Sequence, residues 1–148
     1  MLACRMRRGI TISEVVVVVT LIALCTLVGV PRIANTLAGL TAEHEARRIA
    51  MAHSRARIMA LASGRVMLLR LAPDTLSISE IEAGDTLRRW FEPGPASAGA
   101  ELTGPTRYLR FTPTGITFGL SNGTWTVTYR GAMRRVVASR LGRVRVMR

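Results

Sequence analysis

Arg7-Arg8-Gly9-Ile10-Thr11-Ile12-Ser13-Glu14 opens an apolar run that continues to Val30 and stops at Pro31. Measured from Ile10 the run is about 21 residues, the length that crosses a bilayer as one helix. Glu14 is the only charge inside it. A carboxylate in such a segment costs roughly 2.5–3.5 kcal/mol at the helix centre, and less near the interface. Anchoring alone does not account for it, so Glu14 marks a functional position that needs a partner. Arg5, Arg7 and Arg8 precede the run and set the N-terminus on the cytoplasmic side. A cleavable secretory signal is a poor fit, because its apolar stretch is shorter and ends in a small-x-small site.

Beyond Pro31 the chain still reads as helix as far as Ser63. Ile33, Leu37 and Leu40, then Ile49, Ile58 and Leu61 with many Ala, form an apolar stripe at helical spacing. Arg32, Glu43, Glu45, Arg47, Arg48, Arg55 and Arg57 fall mostly off it. Arg47-Arg48 therefore reads as a solvated face, and His44 and His53 as surface residues of the helix. Gly29 and Pro31 are expected to bend or loosen the helix, and Gly64 to cap it.

Period-2 patterning follows. Arg65–Ala72, Thr75–Ala83 and Thr86–Glu92 read as strands separated by Pro73-Asp74 and Gly84-Asp85. Pro93 to Pro105, rich in Pro, Gly, Ala and Ser, reads as a surface loop. Strands resume at Arg107–Thr112, Ile116–Leu120, Thr124–Arg130, Met133–Val137 and Arg143–Met147. Thr114-Gly115 is a turn signal, and Asn122-Gly123 a hairpin signal. The fold class is α+β, a long N-terminal helix packed on a small antiparallel β domain.

Charge is unevenly placed. The net charge is +12 over 148 residues, and every basic residue is Arg. No acid follows Glu101, while Arg107 to Arg148 holds nine Arg. A one-signed block of this kind suits a polyanion, or acidic neighbours in an assembly. In a strand, residues two apart share a face, so Arg143 and Arg145 can face solvent while Val144 and Val146 face the core. Their guanidiniums then lie about 7 Å apart, close to the spacing of phosphates along a nucleic-acid strand. Arg134, Arg135, Arg140 and Arg148 would widen the patch, and Gly142 permits a turn. Trp125 and Tyr129 read as packing residues rather than base-stacking platforms.

Cys4 and Cys25 both lie in or before the apolar run, so neither can staple the β domain. No phosphate loop, metal-spaced His/Cys cluster or nucleophilic triad is present in the sequence, and no cofactor is expected. Asp74, Glu80, Glu82 and Asp85 read as surface or turn carboxylates. The chain is not expected to be an enzyme.

The first 31 residues resemble the prepilin signal of type IV pilins and type II secretion pseudopilins: a short basic leader, Gly9, Glu14, the apolar run and Pro31. The resemblance implies a leader at residues 1–9 and a transmembrane and assembly helix at 10–31. An amphipathic helix at 32–63 and a β domain at 64–148 would follow. It implies that a prepilin peptidase cuts after Gly9 and methylates Ile10, and that Glu14 pairs with the terminal amine of a neighbouring pilin. Pro31 would close the membrane part of the helix. Ile10 departs from the Phe most common at that place. Phe111-Thr-Pro-Thr-Gly-Ile-Thr-Phe, Asn122-Gly123 and Leu141-Gly-Arg-Val-Arg are similar to GspH/FimT-type minor pilins. Part of that group binds DNA through a Gly-Arg-x-Arg motif for natural transformation, which implies that Gly142, Arg143 and Arg145 hold duplex DNA. Another part belongs to the type II secretion pseudopilus. The motif is short and arises easily in an Arg-rich chain, so secretion pseudopilin and pilus subunit without a DNA role stand beside it. The implied location is the bacterial inner membrane, N-terminus cytoplasmic and β domain periplasmic.

Overall fold

A computed structural model describes residues 11–82, 85–104, 108–118, 122–139 and 141–148. Gly9, Ile10 and Arg140 lie outside the described residues, as do the leader with Cys4, Gly84 and Pro105. Helix α1 runs from Ile12 to Ser63. Contacts divide the chain into two units, Met1–Thr36 and Leu37–Arg148.

In the first unit the helix opens on Thr11. The Thr11 carbonyl accepts from the backbone N–H of Val15 at 3.3 Å, and its hydroxyl accepts from that of Glu14 at 3.4 Å. Thr11-x-x-Glu14 is the spacing of a capping box, and a carboxylate in the first turn also complements the helix dipole. Glu14 thus has a local structural reason that the apolar run conceals. Thr20 and Thr26 turn their hydroxyls back onto the carbonyls of Val16 (2.7 Å) and Ile22 (3.0 Å), so neither leaves a polar group bare to lipid. The bulky side chains from Ile12 to Val30 are exposed. Helical assignment continues through Pro31 without a break.

The second unit sets residues 37–63 of α1 on two antiparallel sheets. The strands are β1 (Val66–Leu71), β2 (Thr75–Glu82), β3 (Asp85–Pro93), β4 (Glu101–Thr103), β5 (Tyr108–Phe111), β6 (Thr117–Phe118), β7 (Gly123–Tyr129), β8 (Ala132–Ala138) and β9 (Val144–Met147). One sheet has the order β3-β2-β1-β5-β6 and the other β4-β7-β8-β9. Gly64 follows the helix, its N–H bonded to the Ala60 carbonyl at 3.1 Å. The helix presents Ala38, Ala42, Ala46, Ile49, Ala52, Ala56 and Ala60 inward. Met67, Leu69, Leu76, Ile78, Leu109, Phe111, Trp125, Val127 and Val136 complete the core from the sheets.

Five expectations change. Leu37, Leu40, Ile58 and Leu61 belong to the exposed side of the helix; among the residues of the expected stripe, Ile49 and the alanines are what the core takes. Small residues at the contact let the sheets approach the helix closely. His53 is a core residue, 2% exposed, with its ring edge-on to Phe111 at 5.0 Å. Arg48 is no solvated charge: it bonds buried Glu45 at 2.9 Å, Glu92 at 3.2 Å and the Pro93 carbonyl at 2.7 Å, fastening the helix to the end of β3. The Pro93–Pro105 stretch contains a 3-10 turn at Pro95–Ala98 and then β4, which pairs with β7. Asn122-Gly123 is not a hairpin turn, because β6 and β7 lie in different sheets. A two-residue hairpin stands instead at Arg130-Gly131, between the paired Tyr129 and Ala132. Both have positive φ, 47° and 83°, as a type I′ turn requires.

Candidate nucleic-acid interface

Register decides which arginines share a surface. In the second sheet Val137 lies opposite Arg145, and Arg135 opposite Met147. Paired residues share a face, so Arg135 and Arg145 point the same way. Val144 and Val146 point the other way and pack on the core. Arg143, two residues before Arg145, is exposed as well. Arg143, Arg145 and the level of Arg135 thus succeed one another at steps of about 7 Å along the strand direction. Among the described residues no carboxylate pairs with any of the three. Thr126, opposite Arg135, adds a hydroxyl to this face.

Arg134 separates from the group. It alternates in phase with buried Val136 and Ala138, so it turns inward to the helix. Its Nε donates to the Glu43 carboxylate at 2.7 Å, and Arg47 donates to the other oxygen at 2.9 Å. Arg134 and then Arg47 hold the Glu43 carboxyl below its ordinary 4.5. The alternation of Arg134 with Val136 and Ala138 was the available sequence signal for this.

Gly142 stands at the turn that leads into β9. Its φ is 71°, a conformation that side chains with a β-carbon rarely adopt. Its N–H donates to the Ser139 carbonyl at 3.0 Å, and the Ser139 N–H donates to the Arg143 carbonyl at 2.8 Å. A β-carbon at Gly142 would lie 3.0 Å from the Gly115 carbonyl oxygen and 3.1 Å from Arg57 Cδ. The glycine of the motif is therefore required by backbone geometry and packing. Arg57, on the helix, is the residue of this region that no local pattern in the sequence reveals.

The aromatics do not join the basic face. Trp125 is 2% exposed, and its indole fills the space where β-carbons at Gly104 and Gly123 would sit. Tyr129 packs partly against the core with the Arg130 guanidinium 5.5 Å from its ring centre. Glu80, expected at the surface, is 3% exposed and held by Arg65 and by Arg89 at 2.6 Å. Arg65 and then Arg89 keep its carboxyl below the ordinary value. Glu82 and Arg65 also pair. Glu14 lies exposed in the first turn of α1 in the other unit.

The fold is similar to that of the type IV minor pilin FimU of Pseudomonas aeruginosa, with a TM-score of 0.63 at 18% identity over 72% of this chain and 88% of that one. It is also similar to the minor pseudopilin EpsH from the type 2 secretion system of Vibrio cholerae, with a TM-score of 0.57 at 17% identity over 72% and 95%. At these identities the likeness is one of fold. A search of curated proteins gives no match. Residues 45–142, more than half of the chain, match the family model described as type II transport protein GspH. The chain belongs to the GspH family, and its fold is the type IV pilin-like one of a long helix on antiparallel sheets.

Proposed function

We propose that the chain is a minor pilin of a type IV pilus-like filament that binds duplex DNA through Arg143, Arg145 and Arg135 for DNA uptake. The observation that carries this reading is that Arg135 and Arg145 share one outward sheet face with exposed Arg143 just before β9, all three free of carboxylate partners among the described residues. Arginine forks suit phosphate oxygens, and contacts of this kind hold the backbone without reading bases. In this reading Gly9 and Ile10 are the peptidase site and Ile10 the methylated residue. Ile12 to Val30 anchors the chain in the inner membrane with the β domain in the periplasm, and Glu14 meets the Ile10 amine of a neighbouring subunit. Pro31 closes the membrane part of the helix. Arg140 stays in the proposed binding set, whereas Arg134 leaves it because Glu43 holds it.

The test is DNA affinity of the full chain in detergent, measured against salt. Each phosphate contact contributes about −0.9 to the log–log slope. Changing Arg143→Ala and Arg145→Ala together is expected to flatten the slope by about 1.8. An unaltered slope and affinity would make the motif purely structural. The assembly claim has its own test. Glu14→Ala is expected to leave cleavage after Gly9 intact and to abolish incorporation into filaments, read by shearing and immunoblot. Normal incorporation would remove the pairing argument.

A second reading, minor pseudopilin of a type II secretion system, draws on the family description and on the fold shared with EpsH. It expects filament incorporation to depend on Glu14 and DNA affinity to be negligible at physiological salt.

A further inference from the structure

Two turns meet over one turn of helix α1. The Thr112–Ile116 turn between β5 and β6 closes through Gly115 N–H to the Thr112 carbonyl, 2.8 Å, and Thr112 N–H to the Ile116 carbonyl, 2.9 Å. A β-carbon at Gly115 would touch Leu61 at 3.0 Å, and one at Gly142 would touch both the Gly115 carbonyl and Arg57. So half-exposed Leu61 borders the first turn, Arg57 packs under the second, and the two turns abut. Arg57 Nη1 reaches the Gly142 carbonyl at 3.4 Å, and Arg57 Nε is buried with no hydrogen-bond partner among the described residues. His53, one helical turn earlier, is likewise buried with neither ring nitrogen bonded. The Arg57 side chain is thus committed to this contact on a crowded, largely apolar seam.

We infer that Arg57 is the positioning residue of the basic motif: it latches the Gly142 turn to the helix and so fixes where Arg143 and Arg145 point. Among the described residues, two backbone hydrogen bonds around Ser139 close the turn. Without the latch, Gly142 retains its conformational freedom, and the first residues of β9 lose a fixed origin. The consequence for DNA rests on the reading proposed above; the latch itself does not.

The experiment uses the full chain in detergent and reads amide hydrogen exchange together with DNA affinity. In Arg57→Ala the amides of Ser139 and Gly142 are expected to exchange about tenfold faster, the loss of one hydrogen bond from a charged donor. Amides of the β7–β8 ladder should stay unchanged. DNA affinity should fall while the salt slope holds, since the phosphate contacts are displaced rather than deleted. Arg57→Lys, which keeps the stem, the charge and a donor, should recover most of the protection. Unchanged exchange at Ser139 and Gly142 overturns the latch. A slope flattened by about 0.9 with unchanged exchange makes Arg57 a direct phosphate contact instead. If the parent chain binds no DNA, the exchange result still decides the latch, and it is the DNA reading that fails. If Arg57→Ala does not fold, Gly142→Ala perturbs the same contact from the sheet side. Slower or unchanged exchange at Ser139 in that variant also counts against the latch.

Discussion

Residues 12–36 and 37–63 of helix α1 differ in how side-chain size relates to burial: in the first no residue is buried, whatever its size. In the first stretch the large aliphatics are all exposed. In the second, the buried residues are mostly alanines, with Glu45, Ile49 and His53 as the large exceptions, while Leu37, Leu40, Met51 and Ile58 remain outside. A helix whose own domain buries mainly small residues keeps most of its large aliphatic residues for other surfaces. Side-chain size along this helix therefore does not report depth in the domain.

The largest expected effect is a direct attack on that contrast. Ala56 is 0% exposed against the sheets, and Leu40 is 61% exposed. Ala56→Leu forces extra volume between helix and sheet and should cost about 3 kcal/mol. Leu40→Ala should stay within about 0.5 kcal/mol. Thermal unfolding followed by circular dichroism would show a melting point lowered by roughly 10 °C or more in the first and little change in the second. Similar shifts in both would mean that the small face is not the one that bears the packing.

The same contrast explains what the sequence revealed. Strand positions were legible because period 2 survives half-burial: β2, β7, β8 and β9 lie within a residue or two of where alternation puts them. Gly64 announced the helix end. The helix face is not legible in the apolar stripe, because large residues dominate such a stripe and alanine is silent in it. Three misses share one cause, a partner far away in the chain. Arg48 meets Glu92, Arg57 meets Gly142, and β4 finds β7 across a Pro/Gly-rich stretch that looks like loop. Asn122-Gly123 carried the right local chemistry, but a turn residue cannot say which sheet the next strand joins. Of the basic patch, Arg145 and Arg135 fall on one face with Arg143 exposed just before β9, while Arg134 is separable by phase alone.

His53 gives the next effect in size. Burial, and then the charge of Arg57, lower its pKa from 6.5 to about 4. The unfolded chain therefore takes up the proton first as pH falls. Stability is undiminished above 6.5, declines between 6.5 and about 4, and is flat with respect to this group below that. The full loss is about 3 kcal/mol. Glu43 and Glu80 act in the same direction, but only as pH falls below their ordinary 4.5. The interval from 6.5 to 4.5 is thus a window for His53. Urea unfolding across that interval should show declining stability in the parent chain, and His53→Leu should flatten it. A slope that persists in the variant would assign the titration elsewhere and leave His53 as a packing residue only.

The smallest effect separates two adjacent arginines. Arg134 has a side chain 18% exposed and fastened to Glu43, whereas Arg135 stands on the outer face beside Arg145. Arg134→Ala leaves a partly covered carboxylate short of one donor and should cost about 1 kcal/mol. Its salt slope for DNA should not move. Arg135→Ala should leave stability within about 0.5 kcal/mol and flatten the slope by about 0.9. The pair holds net charge change constant, so any difference in DNA binding between the two variants reflects facing rather than total charge. If both variants weaken DNA binding equally, binding follows the overall positive field, and the row on the outer sheet face is not the contact surface. If only Arg135→Ala does so, one residue of strand phase decides which arginine is structural and which is offered outward.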